Sequence, residues 1–351
     1  MVLSYYIYKY PYKIIWHLRN IFIGNNAFVF YCADPLDYEI FLPIKRYLNN
    51  VTIVAKNKKT RKYLESLKVS YKKMPVFPKA VIMGRQMPYK FPVKKIIKFG
   101  FDHGLYQFKS WTSARNYNEF NVYFVSSEEQ VNLARKNGIT TTFPIGYPKL
   151  DKAFNGEYSL EYLNEIKNRK KINPEKKTVL FSSTWNVAGL SQIDKWINRI
   201  SELSEEYNLL VTVHTWTDQK YISKLKNIGG IIYLKEHDIT QYLMITDVFV
   251  GDYNSLIGEF CAFDKPVVTF NVPESEKTIP AIIEMIKKIS TQVENFDEAK
   301  DAIKKCLANP KEKSAERQKA NRILFLKLDG LAGKRAAEKI QSELKANGFQ
   351  I

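Results

Sequence analysis

The chain has 351 residues, 45% hydrophobic and 26% charged, more than one hydrophobic core ordinarily serves, so two domains of ordinary size are expected. Its three cysteines, Cys32, Cys261 and Cys306, form neither a CxxC pair nor an even-numbered framework, which excludes a disulfide scaffold and suggests no metal site. The net charge of +18 sits at one end, because residues 1–100 hold 19 basic against 4 acidic residues, a net of +15.

Such asymmetry points to an anionic partner: nucleic acid, an anionic membrane surface or a polyanionic substrate. Nucleic acid is not expected, since no helix-turn-helix, zinc-finger or RNP-type pattern accompanies the charge. An anionic membrane surface or a polyanionic substrate remains. No run of about 18 apolar residues and no signal-peptide pattern occurs, so the expectation is a protein that neither spans a membrane nor is secreted by that route.

The opening segment interleaves Tyr5, Tyr6, Tyr8, Tyr10, Tyr12 and Trp16 with Lys9, Lys13 and Arg19, and adds Ile14, Ile15, Leu18, Ile21 and Phe22. Aromatic rings favour the headgroup region and basic side chains meet anionic lipid, so a short helix here suits a membrane surface. Packing of the same rings against the first domain is the other reading.

Short β-favouring runs then alternate with helical pattern. Residues 27–32, 51–55, 79–83, 96–99 and 122–126 form one series, and 179–182, 210–213, 231–234, 248–250 and 266–270 a second. That order predicts parallel sheets in two Rossmann-like α/β domains facing a cleft, with ligands at the carboxyl ends of the strands. The polar, Pro-containing stretch 166–177 reads as a linker between domains 1–165 and 178–351, and a closing helix over 334–344 is expected to pack back on the first domain.

The strand-end loops carry the candidate chemistry. After the strand 248–250 come Gly251, Asp252, Tyr253, Asn254 and Ser255 and then an apolar helical run, an arrangement whose free N–H groups suit a phosphate. Asp252 or Asn254 can equally serve as a plain N-cap. His214 ends the strand 210–213, and His103 follows the strand 96–99. At such positions a His contacts a diphosphate when charged or takes a proton from a hydroxyl when neutral. Ser183 and Thr184 lie in a third, hydroxyl-rich strand end. His17 and His237 read as ordinary hydrogen-bonding residues.

Six segments in order, Asp102 to Gly104 (DHG), Ser126 to Glu128 (SSE), Gly146 to Asp151 (GYPKLD), Ser183 to Asn186 (STWN), Val211 to His214 (VTVH) and Thr246 to Val267, together with DGLAGKRAAEKI near the end, resemble the CDP-glycerol glycerophosphotransferases. These are the primases and polymerases of teichoic acids and related capsule polymers of the cell envelope. The resemblance implies a glycosyltransferase-B-type fold, peripheral attachment at the cytoplasmic face of the membrane, and transfer of glycerol phosphate, or a related polyol phosphate, from a CDP-activated donor to a lipid-linked or polymeric glycan, releasing CMP. Neither a DxD-like carboxylate pair at a strand end nor a P-loop occurs in the sequence, so no bound cofactor and no catalytic metal are expected. By the same resemblance His103 is the base for the acceptor hydroxyl and His214 the second essential His. Ser183, Thr184, Asp252, Asn254, Ser255 and Glu259 fall on the donor side, and Asp102, Gly104 and Lys109 on the acceptor side. Departures from the family pattern, Asp102 for a Trp, Asn186 for a basic residue and Asn254 for a Ser, bear on which group is transferred. They keep a nucleotide-sugar glycosyltransferase or epimerase on the same scaffold as the alternative.

Overall fold

A computed structural model describes residues 3–22, 27–102, 104–105, 113–185, 189–273 and 279–349. The chain divides into two compact units, one made of Met1–Gly104, Trp111–Asp151 and Phe325–Ile351, the other principally of Lys152–Leu324. Each is built on a six-stranded parallel sheet.

In the first unit, β1 (Phe28–Cys32), β2 (Val51–Ala55), β3 (Ala80–Met83), β4 (Ile97–Phe101), β5 (Val122–Val125) and β6 (Thr142–Pro144) are ordered β2-β1-β3-β4-β5-β6. β1, β3, β4 and β5 are buried along their whole length, as near-continuous apolar strands covered on both faces should be. In the second unit, β7 (Lys177–Ser183), β8 (Tyr207–Val213), β9 (Ile231–Tyr233), β10 (Val248–Gly251), β11 (Val267–Phe270) and β12 (Ser290–Val293) run β12-β11-β10-β7-β8-β9. The fold class is two Rossmann-like domains of the glycosyltransferase-B kind. The order reverses between β1 and β3 in one sheet and between β7 and β10 in the other, which marks a crevice at the carboxyl edge of each.

Two strands lie outside the expected series. β6 is a three-residue edge strand that contains Pro144, tolerable only because no further strand needs its N–H. β12 has the polar sequence STQV, whose buried Ser290 hydroxyl bonds with that of Thr269 at 2.8 Å. The stretch 166–177, expected as a linker, begins inside the helix Leu160–Arg169 and ends at the first residue of β7. Leu163, Ile166 and Ile172 are buried within the second unit, and the abundance of charged neighbours hid that apolar face.

The helix Ala332–Ala346 is part of the first unit. It packs on the helix Pro35–Lys45, placing Ala336, Ala337, Ile340 and Leu344 in one cluster with Phe28, Phe30 and Phe41. Their backbones nearly touch, because a Cβ on Gly333 would lie 2.6 Å from the Pro43 carbonyl oxygen. The N-terminus of this helix is held by Asp151, whose carboxylate accepts the N–H groups of Ala332 at 3.0 Å and Gly333 at 2.7 Å. Burial pushes the Asp151 pKa up to about 6, against the pull of those two N–H donors.

The N-terminal helix Leu3–Phe22 divides its aromatic and aliphatic side chains between an inward and an outward face. Tyr8, Tyr12 and Trp16, one turn apart, point inward. Their OH, OH and Nε1 groups donate to the carbonyls of Lys90, Val76 and Pro78, each at 2.7 Å. Tyr12 and Trp16 belong to the core on that side of the sheet. Ile7, Tyr10, Ile14, Leu18, Ile21 and Phe22 point outward, with Ile21 71% and Phe22 78% exposed. No helix among the described residues is long and apolar enough to cross a membrane.

Candidate active site

The carboxyl edge between β1 and β3 carries ion pairs of the protein's own. Asp37, fully buried, accepts the N–H groups of Ala33 and Asp34 and the Arg85 Nε at 3.2 Å, while Asp34 pairs with Lys59 at 3.0 Å. Nearby, Asp102 follows β4 and takes a hydrogen bond from the Tyr123 hydroxyl at 2.6 Å, which fixes its carboxylate beside the tyrosine pair Tyr117 and Tyr123. Gly104 lies two residues on. His103 and Lys109 lie outside the described residues, as does Asn186.

The crevice between β7 and β10 is organised differently. β10 ends on Gly251, where a Cβ would sit 2.5 Å from the Ser182 carbonyl oxygen, so the two strand ends approach as only glycine permits. Asp252 follows and turns its buried carboxylate across the gap. It accepts from the Thr184 N–H at 2.8 Å, the Gln192 N–H at 3.0 Å, the Asn254 Nδ2 at 3.2 Å and the Ser183 hydroxyl. Burial pushes its pKa up, and these donors oppose that shift. Ser183 also bonds to Ser191 at 2.9 Å. Asp252 thus ties both ends of the loop after β7 to the end of β10.

Asn254 acts as a local cap, its Oδ1 accepting the Leu256 N–H at 3.0 Å. Ser255, partly exposed, makes no side-chain cap bond to the helix Leu256–Cys261 that it precedes. Glu259 is buried on that helix. Behind the loop a polar chain missed by motif reading runs from the Tyr253 hydroxyl to Gln292 Oε1 at 3.0 Å, and from Gln292 Nε2 to Ser290 at 2.6 Å. Its only sequence signal was the polarity of β12.

His214 stands one residue beyond β8, its N–H still donating to the Ser183 carbonyl at 3.1 Å. The structure therefore gathers Ser183, Thr184, His214, Asp252, Asn254 and Ser255 on the carboxyl-end loops of three adjacent strands. An aromatic cluster flanks them: the Trp216 ring is 5.1 Å from Trp185 and 5.5 Å from His214, and is 62% exposed. Among the described residues no group of three or more His, Cys, Asp or Glu side chains is placed to hold a metal ion.

Other segments of the family resemblance turn out to support the fold. GYPKLD and DGLAGKRAAEKI meet through Asp151 and the helix it caps, and Arg335 adds bonds to the Ile145 carbonyl at 2.8 Å and to Asp329 at 2.7 Å. In SSE, Ser127 caps the helix Glu128–Lys136. Asp264 of DKPV pairs with the buried Arg317 at 2.9 Å, and Lys265 donates to the Thr246 carbonyl at 2.7 Å, its pKa pushed down to about 8 by burial.

The chain as a whole is similar to known proteins. A teichoic acid ribitol-phosphate polymerase, TarK of Staphylococcus aureus, is 26% identical over 168 residues, 44% of this chain; the aligned part spans about a third of the relative, 32% of its length. The wall teichoic acid polymerase TagF has a similar fold, with TM-score 0.72 and 15% identity over 98% of this chain and 99% of that one. A UDP-GlcNAc 2-epimerase from Neisseria meningitidis shares the fold at TM-score 0.62 and 11% identity, over 90% of this chain and 99% of that one. The model of the CDP-Glycerol:Poly(glycerophosphate) glycerophosphotransferases matches residues 93–342, from before β4 into the last helix, and the chain belongs to that family.

Proposed function

We propose that this protein transfers glycerol phosphate, or a related polyol phosphate, from a CDP-activated donor to a lipid-linked or polymeric envelope glycan, with release of CMP. The observation that carries the reading is the gathering of Ser183, Thr184, His214 and Ser255 around the Asp252 clamp at the second sheet's crevice, where α/β sheets take their ligands. The crevice of the first sheet is already neutralised by Asp34, Asp37, Arg85 and Lys59, which makes it a poor place for a diphosphate.

In the proposed reaction an acceptor hydroxyl attacks the phosphorus that bears the polyol. A new oxygen–phosphorus bond forms, the bond to the CMP oxygen breaks, and the hydroxyl proton passes to His103. Positioning and charge stabilisation dominate such transfers. Asp252 serves by fixing the loop that carries Ser183 and Thr184. Family membership favours this reading over the nucleotide-sugar alternative, since the epimerase likeness is one of fold.

The same reading has the first unit dock on an anionic bilayer through the outward face of the helix Leu3–Phe22. Its inner face is fixed to the domain by three side-chain bonds, so the exposed Ile7, Ile14, Ile21 and Phe22 are presented on a rigid support. Lys9, Lys13, Arg19 and the exposed Lys94 and Lys95 supply positive charge nearby.

Incubation with CDP-glycerol, CDP-ribitol and a set of UDP-sugars, scoring nucleotide release in the presence of a polyol phosphate acceptor, tests the reaction. CMP released from a CDP-polyol is the expected result. UDP release without CMP release would favour the alternative.

A further inference from the structure

The four acids of residues 1–100 offset little of the positive charge at the surface. Asp37 and Glu39 are buried, Asp34 sits between Lys59 at 3.0 Å and Arg85 at 4.0 Å, and Glu65 accepts the Tyr71 hydroxyl at 2.5 Å. The charge left over divides between the two faces of the first sheet. The helix Leu3–Phe22 covers one face, with Tyr12 and Trp16 packed against Val29, Tyr31 and Val54. The helix Lys58–Ser66 covers the other, its Leu64 packed with Phe28, Phe30 and Ile53. Successive strand residues point to opposite faces, so a bilayer met by the outward side of the first helix is out of reach of the second.

On the helix Lys58–Ser66, Thr60 and Leu64 turn inward, and Lys58, Lys62 and Ser66, four residues apart, form the outward ridge. Its first turn holds Lys58 and Lys59 and no acid, against the preference of a helix dipole for acids there. Beside it the Lys72 N–H donates to the Ile53 carbonyl at 2.8 Å, and the Lys72 carbonyl accepts the Ala55 N–H at 2.9 Å, which lays this segment along the outer edge of β2. There Tyr71 packs with the cluster under the helix and Met74 with the opposite one, so alternation puts Lys73 on the helix side. Lys56, Lys58, Lys62 and Lys73 are exposed, and none of them is paired with an acid among the described residues. The ridge carries no aliphatic or aromatic side chain, which an interfacial helix needs to enter a bilayer. A flexible polyanion needs only a row of charges.

We propose that this ridge, with Lys56 and Lys73 beside it, binds the polyol-phosphate chain that the proposed reaction extends, a row of ammonium groups holding a row of phosphodiesters. The inference rests on the reading that the acceptor is a polyol-phosphate polymer. Such a chain carries one negative charge per repeat, the complement of lysines one helical turn, about 6 Å, apart. Each added unit brings another phosphate within reach, so long acceptors are held better than short ones and stay bound between transfers.

The test uses the full chain and a fluorescently end-labelled glycerol-phosphate oligomer, with binding followed by anisotropy across a salt series. The triple variant Lys58→Gln, Lys62→Gln, Lys73→Gln changes exposed positions only and should keep the wild-type thermal midpoint. At low salt it should bind the oligomer roughly tenfold more weakly, and its log–log salt slope should fall by about 2, near 0.7 for each charge removed. The variant Lys58→Arg, Lys62→Arg, Lys73→Arg, which keeps the charges, should bind as wild type does. Pelleting with anionic vesicles should be unchanged in the Gln variant, and Ile14→Asp should keep the oligomer. A Gln variant that binds the oligomer as tightly as wild type, or that loses vesicles and keeps the oligomer, would overturn the inference. So would a single-stranded oligonucleotide of equal charge bound more tightly than the oligomer, which would make the ridge a nucleic-acid surface. Failure to release CMP from any CDP-polyol would instead overturn the transfer reading, and the comparison of Gln variant with wild type would still report on the ridge.

Discussion

The Asp252 carboxylate and the Thr184 N–H, 68 residues apart in the chain, meet at 2.8 Å across the crevice between β10 and β7. Asp252 has no surface to spare for a ligand: it is buried and accepts from four different residues. Asp252→Asn turns an accepting oxygen into a donor against N–H and O–H groups and should cost about 1–3 kcal/mol in urea unfolding. CDP-glycerol affinity should fall with it, because the loop that carries Thr184 loses its anchor. Ser255→Ala should leave stability within about 0.5 kcal/mol and still weaken the nucleotide. Unfolding midpoints and calorimetric titration of the two variants separate clamp from contact.

For His103, the expected outcome is a defect in chemistry alone. His103→Ala should lower turnover by roughly 100- to 10,000-fold, the range for loss of a general base, with CDP-glycerol affinity unchanged. Single-turnover rates and calorimetry on the same preparation give both quantities, and full activity would remove His103 from the mechanism.

Asp151 makes the latch of the last helix dependent on pH. Its folded pKa, raised by burial to about 6, exceeds the ordinary 3.8, so its contribution to stability is fully present below about 3.8 and is lost as pH rises through about 6. The shift corresponds to about 3 kcal/mol at most. Asp37 is raised in the same direction and to about the same value, so part of the slope belongs to it. The stability difference between wild type and Asp151→Asn, followed by denaturant unfolding between pH 4 and pH 7, should therefore shift by about that amount in favour of the variant as pH rises. A difference independent of pH would place the Asp151 pKa in the ordinary range.

On the N-terminal helix the two faces should separate by mutation. Ile14→Asp and Ile21→Asp replace exposed apolar groups and should reduce cosedimentation with anionic vesicles by roughly tenfold or more, with little change in thermal stability. Tyr12→Phe removes the bond to the Val76 carbonyl and should cost about 0.5–1.5 kcal/mol of stability while vesicle binding is kept. Equal pelleting of all variants, or equal pelleting with neutral vesicles, would assign the basic charge to a soluble polyanion.

The long apolar strands were legible because parallel strands buried on both faces leave a continuous signature, as in FVFYC of β1 and AVIM of β3. β12 was not, because its polar residues are satisfied by one another across strands, as with Ser290 and Thr269, and no local pattern announces a partner 21 residues away. Nor did spacing tell Tyr12 from Tyr10. Both fit a helix, and only the position of the Val76 and Pro78 carbonyls decides which ring is core. At the candidate site the strand-end positions of His214 and Asp252 could be read, while the direction of the Asp252 carboxylate, into the protein and across the crevice, depends on the Gly251 approach.

The Asp151 latch also orders events in time. The first unit draws residues 325–349 into its core, so that Ala336, Ile340, Leu344 and Phe349 lie among Phe28, Phe30 and Phe41. The second unit is made principally of one uninterrupted stretch, Lys152–Leu324. On the ribosome the stretch synthesised later can therefore complete its packing first, while the earlier one waits with an apolar helix face uncovered until its final helix emerges. The nascent chain carries that exposed surface for the whole time needed to translate the second unit, and a message cut short after residue 324 leaves the first unit, rather than the second, without its closing piece.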